Sequence, residues 1–346
     1  MKIKELFLES EDTGNCYFIA EVGLNHNGDI EIAKKLIDSA SEAGADAVKF
    51  QKRTVSELAI KSVLSSKDDR FPNFGSTYGE IREHLEFTLD QYIELKKYSE
   101  RLGLEFLVTP FDLEALKFLA PLSLSGYKIA SHSVTNLDLV KAIAQEGKPV
   151  IMSTGMSHLE EISAAVEKVL DANSELCLLH CVSSYPTPDE DCNLSVITFL
   201  RDKYQVPVGY SGHERGWIPT LLAVQIGARI VERHITLDTS MEGFDHKLSL
   251  DPENLKELIK QIRNVGVIMG KGVKKLLPIE NIAREKYNVS MVTARALPKG
   301  QVLSPMDICW KNPGTGIPRK NMHDYIGREL QVSVEADELL LPEMFN

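Results

Sequence analysis

The chain has 346 residues, of which 43% are hydrophobic and 26% charged, and its formal net charge is -11. This composition is ordinary for a globular protein and argues against long disorder. The acidic balance excludes a strongly basic nucleic-acid-binding surface, although a local basic pocket for a small anion remains compatible with it. Because α/β barrels reach about 250 residues as one domain, the length fits two similar domains or a barrel with a small addition.

The sequence also predicts the cellular location of the protein. It contains no run of about 18 apolar residues, so we expect no transmembrane helix and no membrane partner. The first residues, MKIKELFLESEDTGN, lack the apolar core of a signal peptide. Five cysteines are an odd number without a CxxC pair, which favours free thiols and a cytoplasmic location over a disulfide framework.

Apolar segments and helical patterns alternate from residue 17 to residue 270. In chain order they predict strand 17–22, helix 31–44, strand 45–51, helix 89–103, strand 104–111, helix 113–122, strand 125–131, helix 136–147, strand 149–155, helix 158–170, strand 175–184, helix 193–204, strand 206–212, helix 217–227, strand 228–237 and helix 252–270. Strands rich in Val, Ile and Leu are typical of a parallel sheet covered on both faces. Eight such units predict a (β/α)8 TIM barrel over residues 1–270. A doubly wound sheet is the alternative, weakened by the absence of GxGxxG after the first strand.

Two stretches fall outside this alternation. The loop 52–88 is long for a connection between a strand and a helix, which predicts a lid or a substrate loop. Residues 271–287 are charged and are interpreted as a linker. Residues 288–346 carry turn signals (PKG, SPMD, NPGTG) between short apolar pieces and are predicted to form a small β-rich domain. A domain of about 60 residues is near the lower limit for independent folding, so we expect it to pack on the barrel or on another subunit.

Active sites of such barrels lie at the carboxyl ends of the strands, where two lysines stand out. Lys49 and Lys128 each lie within an apolar strand, and burying a lysine is costly unless it is paired. Together with the hydroxyl groups at neighbouring strand ends they favour a cradle for phosphate. Two alternatives stay open, a structural salt bridge and a Schiff-base lysine.

His213 and His234 lie at matching depth on adjacent predicted strands, close to Glu21 on the first strand. A single histidine is more often a core residue, but two on neighbouring strands beside a carboxylate make a divalent metal site an equal alternative. Imidazole and oxygen ligands suit Mn²⁺, Zn²⁺ or Fe²⁺.

These residues resemble the sialic acid synthase family. The matching segments are FIAEVGLNHNGDIEIAKKLIDSASEAGADAVKFQ, TPFD, YKIAS, STGM, HCVSSYPTP, VGYSGHERG, ERHITLD and EGFDHKLSLDP, and the tail ALPKGQVLSPMDICWKNPGTGIP is similar to the antifreeze-like SAF domain, a β-clip fold. The resemblance implies condensation of phosphoenolpyruvate with an N-acylated hexosamine aldehyde, such as N-acetylmannosamine, to a nine-carbon 2-keto-3-deoxy acid and phosphate. It also implies a divalent cofactor, Mn²⁺ first and Mg²⁺ or Co²⁺ as alternatives, and a domain-swapped homodimer.

The resemblance also assigns roles to residues. It implies that Glu21 is the catalytic carboxylate and that His213 and His234 bind the metal. Phosphoenolpyruvate would be bound by Lys49, Thr109, Lys128, Ser131, Ser153, Ser183 and Ser211. The sugar would meet Asn73, Tyr185, Asp245 and, from the tail, Asn312.

The chain departs from the family pattern at several positions, most of which concern the acceptor sugar. Ser133, Ser183, Gly212 and Asn312 stand where a carboxylate, an Asn, an Asp and an Arg are usual, and Asn288 and Val289 replace an arginine pair. Asn312 cannot make the bidentate contact of an arginine, so we expect a different acceptor contact there. The alternatives are a related synthase of spore-coat or surface polysaccharide that uses another sugar, and a non-catalytic saccharide-binding barrel.

Overall fold

A computed structural model describes residues 2–7, 16–172 and 174–345. The chain divides into two compact units, residues 1–270 and 271–346. Each unit has its own hydrophobic core.

Eight parallel strands form a closed barrel in the first unit, in chain order around the ring. They are β1 (Tyr17–Gly23), β2 (Ala47–Lys52), β3 (Glu105–Pro110), β4 (Tyr127–Ile129), β5 (Val150–Ser153), β6 (Leu176–Cys181), β7 (Val208–Gly212) and β8 (Ile230–His234). β1 pairs with both β2 and β8, which closes the ring. The predicted TIM barrel is therefore confirmed, and the doubly wound sheet, which has two open edges, is wrong.

Helices surround the barrel and begin and end where the sequence provides caps. They are α1 (Ile30–Ala43), α2 (Val55–Leu58), α3 (Lys61–Leu64), α4 (Tyr78–His84), α5 (Leu89–Arg101), α6 (Leu113–Leu119), α7 (Leu137–Gln145), α8 (Leu159–Asp171), α9 (Ser195–Tyr204), α10 (Ile218–Gln225) and α11 (Pro252–Met269). Asp29 caps the first backbone N–H groups of α1, and Gly44 ends that helix with a φ of 84°. The apolar faces pack on the outside of the barrel in one continuous core.

The long loop 52–88 contains the short helices α2, α3 and α4, which the sequence did not predict. A capping box between Thr77 and Glu80 starts α4. Ile81 of α4 and Leu85, the residue that follows this helix, are buried with Leu24, which follows β1, in a small separate cluster. This packing fixes α4 against the carboxyl ends of the strands.

A short 3-10 turn, Ile3–Phe7, closes the opposite end of the barrel. Ile3 and Leu6 are buried among residues at the strand starts and inside the barrel. Glu105, the first residue of β3, accepts hydrogen bonds from the Ile3 backbone N–H and the Tyr17 hydroxyl, both at 2.7 Å. The amino end is thus filled with side chains, and open space is left at the carboxyl end.

The second unit contains α12 (Asn281–Tyr287) and a two-stranded antiparallel sheet of β9 (Ser290–Thr293) and β10 (Ile308–Lys311). Isolated bridges and 3-10 turns complete a small β-rich fold around Met291, Leu303 and Leu330. Part of the stretch interpreted as a linker is therefore helical. No helix within the described ranges is both long and apolar enough to cross a membrane.

Candidate active site

A cavity of about 240 Å³ opens at the carboxyl end of the barrel. Most of the residues predicted for the site line it: Glu21, Lys49, Lys128, Ser131, Ser153, Ser183, Tyr185, Ser211, His213, His234 and Asp245. They come from different strands and from the loops that follow them, which is the usual construction of a barrel active site.

Lys49 is buried between two carboxylates. Its Nζ lies 3.3 Å from Glu21 Oε2 and 3.3 Å from Glu232 Oε2, and it donates a hydrogen bond of 3.3 Å to Thr109 Oγ1. Burial by itself would lower the pKa of Lys49, but Glu21 and Glu232 raise it above the ordinary value. Lys49 is therefore a permanent cation in the floor of the cavity.

Lys128 is also buried, but the carboxylate that compensates its charge lies farther away than those of Lys49. Its Nζ donates to Ser153 Oγ at 2.6 Å and to the Ile129 carbonyl at 3.1 Å, while Glu232 Oε1 is 3.9 Å away. Burial lowers the pKa of Lys128 to about 8, and Glu232 offsets only part of that effect. This lysine titrates near neutral pH.

Glu232 is a site residue that the sequence reasoning missed. Burial opposes its ionisation, but Lys128 and Lys49 lower the pKa of Glu232 to about 2. The position of Glu232 could have been predicted from the alternation of side chains along β8. Because Ile230 faces the barrel interior, residues 232 and 234 must face the same way. The two lysines and the carboxylates Glu21 and Glu232 sum to zero charge, so this centre alone does not compensate a multiply charged anion.

Serine hydroxyl groups surround this centre. Ser211 Oγ donates to Glu232 Oε1 at 3.1 Å, and Ser131 Oγ accepts from the Gly155 backbone N–H at 3.0 Å. A Cβ atom at position 155 would lie 2.5 Å from Ser183 Oγ and 2.9 Å from Ser131 Oγ. Glycine is therefore required at position 155 so that the two hydroxyl groups can approach the backbone.

Both oxygens of Glu21 have neighbours. Its Oε1 accepts a 2.6 Å hydrogen bond from Gln51 Nε2, whereas its buried Oε2 makes no hydrogen bond to the described residues and faces Lys49 Nζ at 3.3 Å. In the strand register Glu21 lies opposite Lys49 on one side and His234 on the other. The carboxylate thus stands between the lysine centre and the histidines.

His213 and His234 have ring centroids 5.5 Å apart, a spacing that suits two ligands of one ion. His213 Nδ1 lies 2.9 Å from the Val182 carbonyl, which can only accept, so the proton sits on Nδ1 and Nε2 is left with a lone pair. His234 Nδ1 is buried and makes no hydrogen bond to any residue that the structure describes. Among the described residues no group of three or more His, Cys, Asp and Glu side chains has metal-site geometry. The two imidazoles could supply two nitrogen ligands to a divalent ion, and its other ligands would have to come from substrate and water.

Three predicted residues lie elsewhere. Thr109 contacts Lys49 but does not line the cavity. Asn73 is in the loop between α3 and α4 and donates to Glu242 Oε2 at 2.7 Å. Asn312 is exposed in the second unit, directly after β10.

The structure shows the contacts around two of the positions that depart from the family pattern, Ser133 and Gly212. Ser133 is buried in a 3-10 turn after β4, and its hydroxyl has no hydrogen-bond partner among the described residues. A Cβ atom at Gly212 would lie 2.5 Å from Glu214 Oε2 and 2.7 Å from Tyr210 Cε1. Glu214 is completely buried and paired with Arg233 at 2.8 Å, so this chain has no room for the usual Asp.

The outer wall of the cavity is lined by Gln51, Phe111, Arg53, Arg82, His132 and Phe244. Gln51 and Phe111 end the predicted strands 45–51 and 104–111, whereas the sequence reasoning missed the other four residues. Arg82 lies on α4, a helix that was not predicted, which explains why no pattern pointed to it.

A closed barrel with buried cations, hydroxyl groups and a histidine pair at its carboxyl end is the architecture of a TIM-barrel enzyme for a small anionic substrate. Residues 36–274 match the NeuB family and residues 288–346 match the SAF domain. The chain belongs to the NeuB family, which confirms the resemblance to sialic acid synthases and the assignment to the transferases of that type.

Two relatives and one solved structure are similar to this chain over most of its length. N-acetylneuraminate-9-phosphate synthase from Homo sapiens is 37% identical over 95% of this chain and 92% of its own length. N,N'-diacetyllegionaminic acid synthase from Legionella pneumophila is 37% identical over 95% of this chain and 94% of its own. The crystal structure of N-acetylneuraminic acid synthetase from Leptospira borgpetersenii, in complex with citrate, superposes with a TM-score of 0.68 at 35% identity, covering 78% of this chain and 90% of that one.

Proposed function

We propose that the protein condenses phosphoenolpyruvate with an N-acylated hexosamine aldehyde of the N-acetylmannosamine type, giving a nonulosonic acid and phosphate. The observation that carries the proposal is the convergence of Lys49, Lys128 and the serine hydroxyl groups beside Glu21 and the histidine pair. Lysines act as point charges and hydroxyl groups as donors toward phosphate and carboxylate oxygens.

In this proposal, lysine and serine side chains bind the anion, and Glu21 transfers the proton. Lys49, Lys128, Ser131, Ser153, Ser183 and Ser211 would hold phosphoenolpyruvate, and Thr109 would orient Lys49. The enol carbon attacks the aldehyde carbon, and positive charge develops at the carbon that carries the phosphate oxygen. The Glu21 carboxylate would stabilise that charge and take a proton from the water that adds there. The tetrahedral centre then collapses: its C–O bond to phosphate breaks and its hydroxyl group becomes the ketone, passing its proton to the leaving phosphate. The proton that Glu21 took from water ends on the former aldehyde oxygen, which becomes a hydroxyl group.

His213 and His234 would hold a divalent metal, for which we propose Mn²⁺, with Mg²⁺ or Co²⁺ as alternatives. When bound, the ion would act as a Lewis acid on the aldehyde oxygen. The charge balance supports this assignment, because two lysines and two carboxylates leave the floor of the cavity neutral. Tyr185 packs on His213 with ring centroids 4.2 Å apart, and Asp245 Oδ2 is 3.8 Å from His234 Nδ1, so both residues are placed to position the ligand set.

Contacts to the sugar would come from Tyr185 and Asp245 at the cavity, with Asn73 and Asn312 as further candidates. The relatives leave the acceptor open, because the human protein is named for a 9-phosphate product and the Legionella protein for a diacetamido product without phosphate. Three carbons come from phosphoenolpyruvate, so C9 of a nonulosonic acid derives from C6 of the acceptor.

We also propose that the protein is a homodimer. An apolar series is exposed at the end of α11 and through residues 271–289: Val267, Ile268, Val273, Ile279, Ile282 and Tyr287 are each more than 60% exposed. So much apolar surface in one stretch of chain is typical of an interface, and a second copy of the chain is its proposed partner. Five free thiols favour a reducing compartment, so the proposal places the reaction in the cytoplasm.

Phosphate release from phosphoenolpyruvate tests the function directly. The assay uses Mn²⁺ and a panel of N-acetylmannosamine, its 6-phosphate, mannose and 2,4-diacetamido hexoses. We expect aldehyde-dependent release with at least one N-acylated hexosamine. Release with mannose alone would favour the polysaccharide synthase, and no release with any aldehyde would remove the enzymatic proposal.

The variant His234→Ala tests the metal site. We expect turnover to fall at least 1,000-fold, about 4 kcal/mol in activation free energy, because one of only two protein ligands is lost. Binding of Mn²⁺ to the full chain, followed by electron paramagnetic resonance, should weaken in parallel. Unchanged turnover and Mn²⁺ binding in a folded variant would exclude His234 from the site.

A further inference from the structure

Two arginines in the outer wall of the cavity have hydrogen-bonding groups that nothing satisfies. Arg53 is 7% exposed, and its Nη1 is buried without a partner, as is Nε of Arg82. In the described part of the chain neither guanidinium has an acidic partner within 4.0 Å. Arg233, also buried, shows the contrast, because its guanidinium donates to Glu214, Gly216 and Thr220. Arg82 is half-buried, so what the two guanidinium groups share is one buried N–H each that has no acceptor among the described residues. An unsatisfied buried donor is costly and points to a ligand that accepts from it.

The acidic groups nearest to these arginines are already engaged. Glu86 accepts from Lys52 Nζ at 2.7 Å and from the Arg53 backbone N–H, and Asp68 accepts from Arg70 Nε at 2.9 Å. Burial and the nearby charge of Arg82 lower the pKa of Arg53 to about 10, which leaves it charged at neutral pH. The two cations therefore repel each other, and Glu86, which is bound to Lys52, offsets only part of that effect.

Aromatic rings fix both guanidinium groups. Arg53 Cζ lies 3.8 Å from the centroid of Phe111, and Arg82 Cζ lies 4.2 Å from that of Phe244. Stacking occupies the faces of the groups and leaves their N–H edges available, a geometry that suits bidentate binding of a phosphate.

The arginines lie farther out than the lysine centre. Arg53 directly follows β2, four residues after Lys49, and its Nη2 reaches Gln51, which lies two residues beyond Lys49 on the same strand. Phosphoenolpyruvate is assigned to the lysines, and the aldehyde to the level of the histidines. A second anion at the outer wall would therefore belong to the remote end of the acceptor.

We propose that Arg53 and Arg82 form a second anion site, which binds a phosphate ester at the end of the acceptor sugar remote from the aldehyde. The inference rests on the proposed function and narrows its substrate class to phosphorylated aldoses. Arg53 is also connected to the chemistry, because its Nη2 donates to Gln51 Oε1 and Gln51 donates to Glu21. Arg82 has no such connection and is the better position for a test.

The experiment compares kcat/KM for N-acetylmannosamine 6-phosphate and N-acetylmannosamine in the full chain. We expect a preference of at least tenfold for the phosphate ester. Arg82→Gln should reduce that preference at least tenfold. Arg82→Lys keeps the positive charge but loses the bidentate N–H donors of the guanidinium, so it should reduce the preference less. Arg101→Gln is the matched control, since Arg101 is an exposed arginine at the end of α5, outside the cavity lining.

A binding measurement separates this inference from the proposed function. N-acetylmannosaminitol 6-phosphate lacks an aldehyde and cannot react, so calorimetry in the presence of phosphoenolpyruvate reports the anion site alone. We expect tighter binding than for the unphosphorylated alditol, and loss of the difference in Arg82→Gln. Equal binding of the two alditols, a preference for the unphosphorylated aldehyde, or an Arg82→Gln defect in the KM for phosphoenolpyruvate would each overturn the inference. Failure of every aldehyde to react, with the alditol phosphate still bound selectively, would instead overturn the proposed function.

Discussion

Lys49 and Lys128 differ in charge behaviour because their carboxylate partners lie at different distances. Lys49 has two carboxylate oxygens at 3.3 Å, whereas the nearest for Lys128 is at 3.9 Å. The sequence reasoning left a salt bridge and an anion cradle as alternatives. In the structure the same lysines are paired and also line the cavity, so the two interpretations are compatible.

The pKa of about 8 for Lys128 predicts a pH dependence. The lysine is protonated below that pH and neutral above it, so kcat/KM for phosphoenolpyruvate should fall tenfold per pH unit above about pH 8. Lys128→Arg, which stays charged, should weaken binding but lose this alkaline limb. A wild-type profile that is flat to pH 10, measured with saturating acceptor and metal, would contradict the assignment.

Gly212 shows how a single departure from the family pattern is tied to its surroundings. Gly212→Ala should lower the free energy of unfolding by about 1–3 kcal/mol, because its Cβ would overlap Glu214. Gly212→Asp should cost more, since it also places a second carboxylate beside Glu214. Thermal unfolding of the two variants checks the order, and a Gly212→Asp variant as stable as the wild type would show that Glu214 can move away.

At the scale of elements, one ion pair joins the end of β7 to β8 beside the histidines. Glu214 follows His213 in the chain, and Arg233 precedes His234. The buried pair is completed by Thr220, which donates to Glu214 at 2.7 Å, and by the Tyr210 hydroxyl at 3.0 Å. The network fixes the two segments that carry the proposed metal ligands.

Breaking this pair on one side should be strongly destabilising. Glu214→Gln leaves the charge of Arg233 buried without compensation, so we expect a loss of about 3–5 kcal/mol in the free energy of unfolding. The double variant Glu214→Leu/Arg233→Met removes both charges and should recover much of that loss. Denaturant unfolding compares them, and a single variant within 1 kcal/mol of the wild type would show that water reaches the pair.

The periodicity of the sequence was sufficient to predict the barrel, because parallel strands and their helices leave long repeated apolar patterns. It was not sufficient for the loop 52–88, where α2 and α3 each have four residues, too few for a period. Arg82 was missed with that loop. Glu232 was missed although the alternation of side chains along β8 predicts that it faces the barrel interior.

At the scale of the whole molecule, the tail and the barrel differ in charge. Residues 286–346 contain seven basic and seven acidic residues, so the net charge of -11 lies in residues 1–285. The barrel nevertheless concentrates cations in its cavity, where Lys49 and Lys128 lie at the floor and Arg53 and Arg82 at the wall. Overall acidity therefore does not oppose an anionic substrate.

The apolar residues around α12 predict self-association. Ile279 and Ile282 are 84% and 80% exposed, and Ile279→Glu/Ile282→Glu should shift the protein from dimer to monomer in analytical ultracentrifugation. Met306→Glu is the control, because Met306 is equally exposed in the same unit but lies outside this stretch. A wild-type protein that is monomeric at micromolar concentration would contradict the prediction.

Oxygen labelling tests the central claim most directly. Phosphoenolpyruvate labelled with ¹⁸O in the bridging position is incubated with the protein, Mn²⁺ and the acceptor panel, and mass spectrometry follows the label. Cleavage of the C–O bond predicts labelled phosphate together with an unlabelled nine-carbon keto acid, formed in equal amounts. Label retained in pyruvate or in a sugar product, or no aldehyde-dependent phosphate, would contradict the proposed condensation.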